Sequence, residues 1–288
     1  MSRKSDAPPP GCVRLVFIGD IVGKPGIRIV CDSVEYLRRE YQTALIVANA
    51  ENVADGSGIR CKDYRRLLEA GVDAMTLGDH AFRKREIFET LQSSDQIVRP
   101  ANLPDEAPGK GTCVVKTKDG YRVAITSVLG RVFMKPIDCP FRAVDAELAS
   151  VDSSVKLRLV DFHAEATSEM QLMGRHLDGK VSAVLGTHTH VATADEQILP
   201  SGTGFQSDVG MSGPFESILG RKIDAVMEAT LNALPTPFQV ATEDVRVSAT
   251  MLDIQTASGK CVAIQRLQIL QEPLAEYNRK HASPTPLL

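Results

Sequence analysis

The sequence lacks a hydrophobic run long enough to cross a membrane, and it lacks a large excess of either charge. No stretch of about 20 consecutive apolar residues occurs, which is the length that a bilayer requires. The 33 lysines and arginines nearly offset the 36 aspartates and glutamates, which leaves a net charge of −3 over 288 residues. This balance gives no electrostatic signal for nucleic acid or for a membrane surface. We therefore expect any anionic substrate to be held by local charge.

Paired cysteines and several catalytic motifs are also missing. The six cysteines are scattered without a C-x-x-C pair, which argues against a zinc ribbon or a disulfide framework and favours reduced thiols in the cytoplasm. Neither the H-E-x-x-H helix of zinc proteases nor a G-x-S-x-G nucleophile elbow is present. Residues 109–112 are similar to a phosphate-binding loop but lack its leading glycine.

Hydrophobic patterning predicts alternating strands and helices. Residues 13–18 form an apolar run typical of a buried strand, and residues 27–41 carry apolar side chains at helical spacing. The next apolar run, 44–48, completes a β-α-β unit whose strands are parallel. The same alternation continues to residue 185. Hairpins are predicted at Asp119-Gly120 and at residues 257–259.

The length allows one large domain as readily as two, and we expect one domain over residues 11–270. A polar, proline-containing tail precedes it over residues 1–10. Residues 271–288 are polar with prolines, and we expect them to form a poorly ordered tail.

Polar residues follow the predicted strands at the points where those strands end. In α/β sheets the active site lies beyond the carboxyl ends of the strands, so we expect these residues to converge. Four of the six histidines follow this rule, whereas His176 and His281 do not, and we interpret His176 as structural. The converging set is Asp20, Glu51, Asn52, Asp79, His80, His163, His188 and His190.

Such a set restricts the chemistry. Imidazole and carboxylate ligands together favour Zn, Mn, Fe or Co, whereas Mg and Ca prefer oxygen alone. The number of plausible ligands exceeds what one tetrahedral ion takes, but two ions about 3.5–4 Å apart with a bridging carboxylate use them all. Each residue alone also fits a helix cap or a surface turn, but that alternative requires every one to be a coincidence. The pattern therefore favours a dinuclear centre that hydrolyses phosphoesters.

The motifs in this set resemble those of the calcineurin-like metallophosphoesterases, and more closely the YmdB-like branch of 2′,3′-cyclic nucleotide phosphodiesterases. The resemblance covers about residues 13–269 and includes longer stretches at 99–102, 137–142, 161–167 and 207–214. It implies an α/β fold with mixed sheets, arranged as a four-layer α-β-β-α sandwich. The motifs are Gly19-Asp20, Asn49-Ala50-Glu51-Asn52, Gly78-Asp79-His80, His163 and Gly186-Thr187-His188-Thr189-His190.

The resemblance also implies residue roles and cofactors. It implies two divalent transition-metal ions, Fe or Mn first and Zn or Co as alternatives, acting on a cyclic or small nucleotide phosphoester. His80 is expected to protonate the leaving oxygen as general acid, and Glu51 to bridge the ions. The first ion is expected to take Asp20, Asn52 and His190, and the second Asp79, His163 and His188.

Two departures from the family pattern stand out. The wider superfamily carries Asp-x-His where this chain has Asp20-Ile21-Val22, a loss that the YmdB-like branch shares, with Asn52 compensating. The usual Gly-Asn-His is here Gly78-Asp79-His80, which adds a negative charge. We hypothesise that Asp79 tightens metal binding or favours a more oxidised iron.

The residues leave two alternative functions open. One is a phosphomonoesterase of the same fold, because metal ligands do not distinguish monoesters from diesters. The other is a regulatory protein that senses a nucleotide with low turnover, an interpretation that Asp79 favours. Substrate choice depends on the loops around residues 103–111 and 131–140, and no pattern decides whether the protein forms a homo-oligomer.

Overall fold

The structure, a computed structural model, describes residues 7–281, which form two mixed β-sheets and seven α-helices. The first sheet contains β1 (Cys12–Ile18), β2 (Asp20–Ile21), β3 (Leu45–Asn49), β4 (Ala74–Thr76), β5 (Ile97–Val98), β12 (Met211–Pro214), β13 (Val245–Gln255) and β14 (Cys261–Leu270). The second contains β6 (Thr112–Lys116), β7 (Arg122–Leu129), β8 (Leu157–His163), β9 (Ala183–Thr187), β10 (Gln197–Ile198) and β11 (Gly204–Gln206). The helices are α1 (Gly23–Glu40), α2 (Cys61–Ala70), α3 (Phe88–Ser93), α4 (Pro140–Ser150), α5 (Thr167–Leu177), α6 (Ile223–Asn232) and α7 (Gln271–His281). No helix within residues 7–281 is long and apolar enough to span a membrane.

The first sheet has the strand order β2-β12-β13-β1-β3-β4-β5, and β14 pairs with β13. Strands β1, β3, β4 and β5 are parallel, so the β-α-β unit predicted from residues 13–48 is confirmed. The hairpin predicted at residues 257–259 joins β13 and β14 as an antiparallel pair.

The second sheet has the order β10-β11-β9-β8-β7-β6. Strands β7, β8, β9 and β11 run parallel, and β6 and β10 are antiparallel edges. The turn at Asp119-Gly120 connects β6 to β7 as predicted.

Three buried apolar clusters separate four layers of structure. The first lies between the first sheet and α1, α2 and α7, with Leu37 and Leu67 fully buried. The second lies between the two sheets and contains Phe17 and Leu159. The third lies between the second sheet and helices α4 and α5, around Phe162. The predicted four-layer α-β-β-α sandwich is confirmed.

The prediction of a poorly ordered tail from residue 271 was wrong for residues 271–281, which form α7. The side chain of Leu274 is 3% exposed within the first apolar cluster. The ring of Tyr277 packs edge-on against Tyr36 with centroids 4.8 Å apart, and its hydroxyl donates to Glu40 at 3.2 Å. The few apolar residues of α7 thus dock it on α1. Residues 1–6 and 282–288 of the two predicted tails lie outside the described part of the chain.

Candidate metal centre

Parallel strands from both sheets deliver polar side chains to one place. β3 is followed by Glu51 and β4 by Asp79, both from the first sheet, whereas β8 ends at His163 in the second sheet. The Nε2 atom of His163 lies 3.1 Å from Oε1 of Glu51 and 3.4 Å from Oδ1 of Asp79. The convergence that was predicted from strand ends therefore joins the two sheets.

Four of the predicted ligands form one compact group. Glu51, Asp79, His163 and His188 each place one potential ligand atom within 4.8 Å of all the others. The Nδ1 atom of His188 lies 3.0 Å from Nε2 of His163, and its Nε2 atom lies 3.2 Å from Glu165. Two carboxylates and two imidazoles at this spacing fit a transition-metal ion.

The polar atoms of this group are suited to a cation. The Oδ1 atom of Asp79 is buried and has no hydrogen-bond partner within the described residues. Burial acts to raise the pKa values of Glu51 and Asp79, but the facing His163 outweighs it and lowers both. Burial conversely acts to lower the pKa of His163, but the charge of Glu51 and the nearby carboxylate of Asp79 raise it well above its usual value. The carboxylates thus gather around positive charge, which a metal ion also supplies.

The other three predicted metal ligands lie beside this group. The Nδ2 atom of Asn52 donates to Oδ1 of Asp20 at 3.3 Å and to Oε1 of Glu51 at 3.4 Å, and it lies 3.2 Å from Nε2 of His190. Nε2 of His190 is 3.7 Å from Oδ1 of Asp20. In this orientation Asn52 presents its amide nitrogen to the carboxylates, so coordination through its oxygen requires the amide to rotate by half a turn.

His80, the predicted general acid, lies at the rim of the site and contacts two of the predicted metal ligands. Its backbone N–H donates to Oε2 of Glu51 at 2.9 Å, and its Nδ1 atom lies 2.8 Å from Oδ1 of Asn52. Its side chain is 26% exposed, so it can reach a ligand entering from solvent.

Four residues that were not predicted as site residues orient His163. Thr187 donates its hydroxyl proton to Asp161 at 2.6 Å, so the Nδ1–H of His163 donates to the Thr187 oxygen at 2.8 Å and Nε2 is left free as a ligand. Burial raises the pKa of Asp161 to about 6, so this carboxylate is mainly ionised at neutral pH. Asn49 and Thr76 also donate to it. The sequence feature that could have predicted this support is Asp161, an acidic residue within the apolar strand β8.

His188 and His190 are held in a loop after β9 and not within a strand. Both have positive φ angles, 108° and 64°, which are rare for side chains of this size. Between them, Thr189 donates its backbone N–H and its hydroxyl to Asp208, both at 2.9 Å, and Gly210 N–H donates to the same carboxylate at 2.7 Å. Burial, and then the charge of Asp20, raise the pKa of Asp208. Asp208 is therefore the anchor of this loop, a role that the sequence did not reveal.

Glycines allow the strand ends to approach each other. A Cβ atom on Gly78 would lie 2.3 Å from the ring of His163, and one on Gly186 would lie 1.6 Å from the carbonyl oxygen of Ser207. Glycine is therefore required at both positions by close packing. His176, by contrast, lies on α5 and pairs with Asp145 at 2.8 Å, as expected for a structural residue.

A model of one protein family, described as YmdB-like protein, matches residues 16–267 of this sequence. The chain belongs to the YmdB-like family. The match includes all the predicted metal ligands as well as the supporting residues Asp161, Thr187 and Asp208.

Relatives of this YmdB-like chain include named enzymes. A 2′,3′-cyclic-nucleotide 2′-phosphodiesterase of Bacillus subtilis (strain 168) is 41% identical over 257 residues, covering 89% of this chain and 97% of that protein. A putative phosphatase/phosphodiesterase of Mycoplasma genitalium is 31% identical over 263 residues, with 90% and 93% covered.

Two solved structures share the fold of this YmdB-like chain. A hypothetical protein from Thermus thermophilus is 41% identical, with a TM-score of 0.84 over 90% of this chain and 100% of that one. A structure described as a novel phosphatase from Mycoplasma pneumoniae is 30% identical, with a TM-score of 0.84 over 92% and 96%. The family and the fold are thus supported independently.

Proposed function

We propose that this protein is a metal-dependent phosphodiesterase that hydrolyses 2′,3′-cyclic nucleotides or similarly small nucleotide phosphoesters. The observation that carries the proposal is the cluster of Glu51, Asp79, His163 and His188, with its buried and unpartnered carboxylate oxygen. The phosphodiesterase name of the Bacillus subtilis relative supports the choice of reaction and substrate.

The proposed cofactors are two divalent transition-metal ions, Fe or Mn, with Zn or Co as alternatives. When bound, such ions stabilise negative charge on the phosphate and activate a water molecule for attack. Glu51 is proposed to hold both ions from its buried position between the two ligand groups. Asp20, Asn52 and His190 would complete one site, and Asp79, His163 and His188 the other.

His80 is the proposed general acid. Its Nδ1 atom faces the Asn52 amide, so Nε2, which lies 3.8 Å from Oδ2 of Asp79, is the nitrogen left for the leaving ester oxygen. Transfer of a proton from Nε2 of the imidazolium to that oxygen leaves a neutral ring.

The experiment is to measure metal content and hydrolysis of 2′,3′-cyclic AMP in the native protein and in Glu51→Gln. We expect about two equivalents of transition metal in the native protein and loss of turnover in the variant. His176→Gln is the matched control, because this histidine pairs with Asp145 away from the cluster and its loss should leave metal content and rate unchanged. A native protein with no affinity for Mn, Fe, Co or Zn would refute the proposal.

A phosphomonoesterase is the second candidate, supported by the phosphatase name of the Mycoplasma pneumoniae structure. Measuring nucleoside monophosphates beside cyclic nucleotides decides between the two enzymes. Metal binding without turnover of either substrate would favour a nucleotide-sensing protein.

We also propose a cytoplasmic location, because all six cysteines are unpaired and free thiols favour a reducing compartment.

A further inference from the structure

A cavity of about 930 Å³ opens directly beside the candidate metal centre. Asp79 and His188 form part of its wall, so a ligand in the cavity would continue into the space between the proposed ligands. Pockets for small-molecule ligands usually measure about 300–1,000 Å³, and this cavity falls in that range. The opposite part of the lining comes from residues 130–138, which we call the rim loop.

Two buried side chains fix the ends of the rim loop. Glu169, which is 6% exposed, accepts the backbone N–H groups of Arg131 at 2.9 Å and Val132 at 3.1 Å. Asn102, which is 2% exposed, donates to the carbonyl oxygens of Leu129 at 2.9 Å and Asp138 at 3.0 Å. The conformation of the loop is therefore imposed from the core.

Between these anchors the loop exposes an aromatic side chain in a strained conformation. Phe133 is 88% exposed and has a φ angle of 62°, which bulky residues rarely adopt. Strain of this kind persists where the surrounding structure imposes it, and it concentrates at ligand sites. A second aromatic residue of the lining, Phe82, is held edge-on against Phe88 with centroids 5.4 Å apart.

Away from the metal centre, the buried polar side chain of this lining is Asn102, and its N–H donors already have partners. Asn102 uses its amide nitrogen on two carbonyl oxygens, and its Oδ1 atom accepts the backbone N–H of Leu129 at 2.9 Å. Both of its N–H donors are therefore in use, so it has no donor left for the edge of a base. The remaining wall carries two charged residues, Lys135 and Asp138. It also carries apolar side chains such as Leu103, Met134 and Ile137, which suit a flat aromatic ligand.

We infer that this cavity is a nucleoside subsite in which the base stacks on Phe133 while the phosphoester lies at the metal centre. The inference rests on the proposed function. Stacking accepts every base because every base has an aromatic face, so the subsite selects nucleotides over other small phosphodiesters without selecting among the bases.

The experiment compares two cyclic phosphodiesters, 2′,3′-cyclic AMP and glycerol 1,2-cyclic phosphate, which lacks a base. We expect Phe133→Ala to lower kcat/KM for the cyclic nucleotide about tenfold through KM, and to leave the glycerol substrate unchanged. Phe133→Trp should restore the nucleotide value. Val132→Ala is the matched control, because Val132 is also exposed on the loop but does not line the cavity. Calorimetric binding of adenosine 3′-monophosphate should weaken in Phe133→Ala by the same factor.

The outcomes separate this inference from the proposed function. Two results would overturn the subsite and leave the proposed hydrolase function intact. One is equal kcat/KM of the native protein for both substrates, and the other is an equal loss of kcat/KM for both substrates in Phe133→Ala. A difference of more than about a hundredfold between 2′,3′-cyclic AMP and 2′,3′-cyclic CMP overturns the base tolerance, because stacking alone does not discriminate so strongly. A metal-loaded native protein that hydrolyses neither substrate refutes the proposed function, and the subsite with it.

Discussion

His163 and the pair His188 and His190 supply the same chemical group to the centre, but the fold supports them differently. His163 is the last residue of β8, lies fully buried, and takes its orientation from a hydrogen bond to the neighbouring strand. His188 and His190 follow β9 in a loop with positive φ angles whose backbone N–H groups donate to the carboxylates of Asp208 and Asp20. Regular structure thus orients one ligand, whereas buried carboxylates from other segments hold the other two.

The largest effect is expected for Asp208→Ala, which removes the carboxylate that holds the loop of His188 and His190. The backbone N–H groups of Thr189 and Gly210 would lose their buried acceptor, at about 1–3 kcal/mol for each group. We expect a fall of about 3 kcal/mol in the free energy of unfolding, measured by urea denaturation of the metal-free protein. Asp208→Asn retains one acceptor oxygen and should lose less. Equal stability of the alanine variant and the native protein would show that the loop is held by other contacts.

Thr187→Val tests the support that the neighbouring strand gives to His163. The substitution keeps the shape of the side chain and removes the acceptor for His163 Nδ1–H. Loss of such a supporting contact usually costs 10–100-fold in metal affinity, and we expect about that loss in competition with a chelator. Thr189→Val is the matched control in the loop between His188 and His190, because the backbone N–H of residue 189 can still donate to Asp208. If the two variants lose equal affinity, the distinction between strand and loop support is incorrect.

Asp79→Asn tests the charge of the centre without removing a ligand position. Because the amide oxygen can still coordinate, we expect metal affinity to fall by less than about tenfold, below the effect of Thr187→Val. If iron is bound, its reduction potential should rise because one negative charge is lost. Metal retention after dialysis and a redox titration measure the two effects. Unchanged metal occupancy together with unchanged turnover would show that the added carboxylate has no role.

The smallest effect concerns thiol reactivity at the end of the rim loop. The backbone N–H of Arg142 bonds the Cys139 sulfur and lowers its pKa, whereas burial raises the pKa values of Cys113 and Cys261 to about 12. A lower pKa gives more thiolate at pH 7.5, so iodoacetamide should modify Cys139 in the native protein before either buried cysteine. Mass spectrometry of the peptides checks the order. Preferential modification of Cys113 would mean that the core opens more readily than the loop end reacts.

The four layers were implied by the family resemblance, but the sequence pattern itself was sufficient to predict alternating strands and helices and the positions of the candidate ligands, because apolar runs mark buried strands and polar residues at their ends mark one edge of a sheet. It did not predict the contacts that orient those ligands. The bond between His163 and Thr187 exists because these residues are register partners in β8 and β9, and a single sequence does not encode strand register explicitly. Helix α7 escaped prediction because Leu274 and Tyr277 are too few to produce a clear helical pattern.

The close approach at Gly78 and Gly186 has a consequence for mutational scanning. Neither residue contacts a reacting group, yet even an alanine methyl would displace the His163 ring or the Ser207 backbone. A scan scored by activity alone would therefore rank these two glycines with the metal ligands and mislabel them as chemical participants. Pairing the activity score with an abundance score would reveal their packing role: Gly78 sets how near the two sheets come together, and Gly186 sets how closely β9 meets the segment after β11.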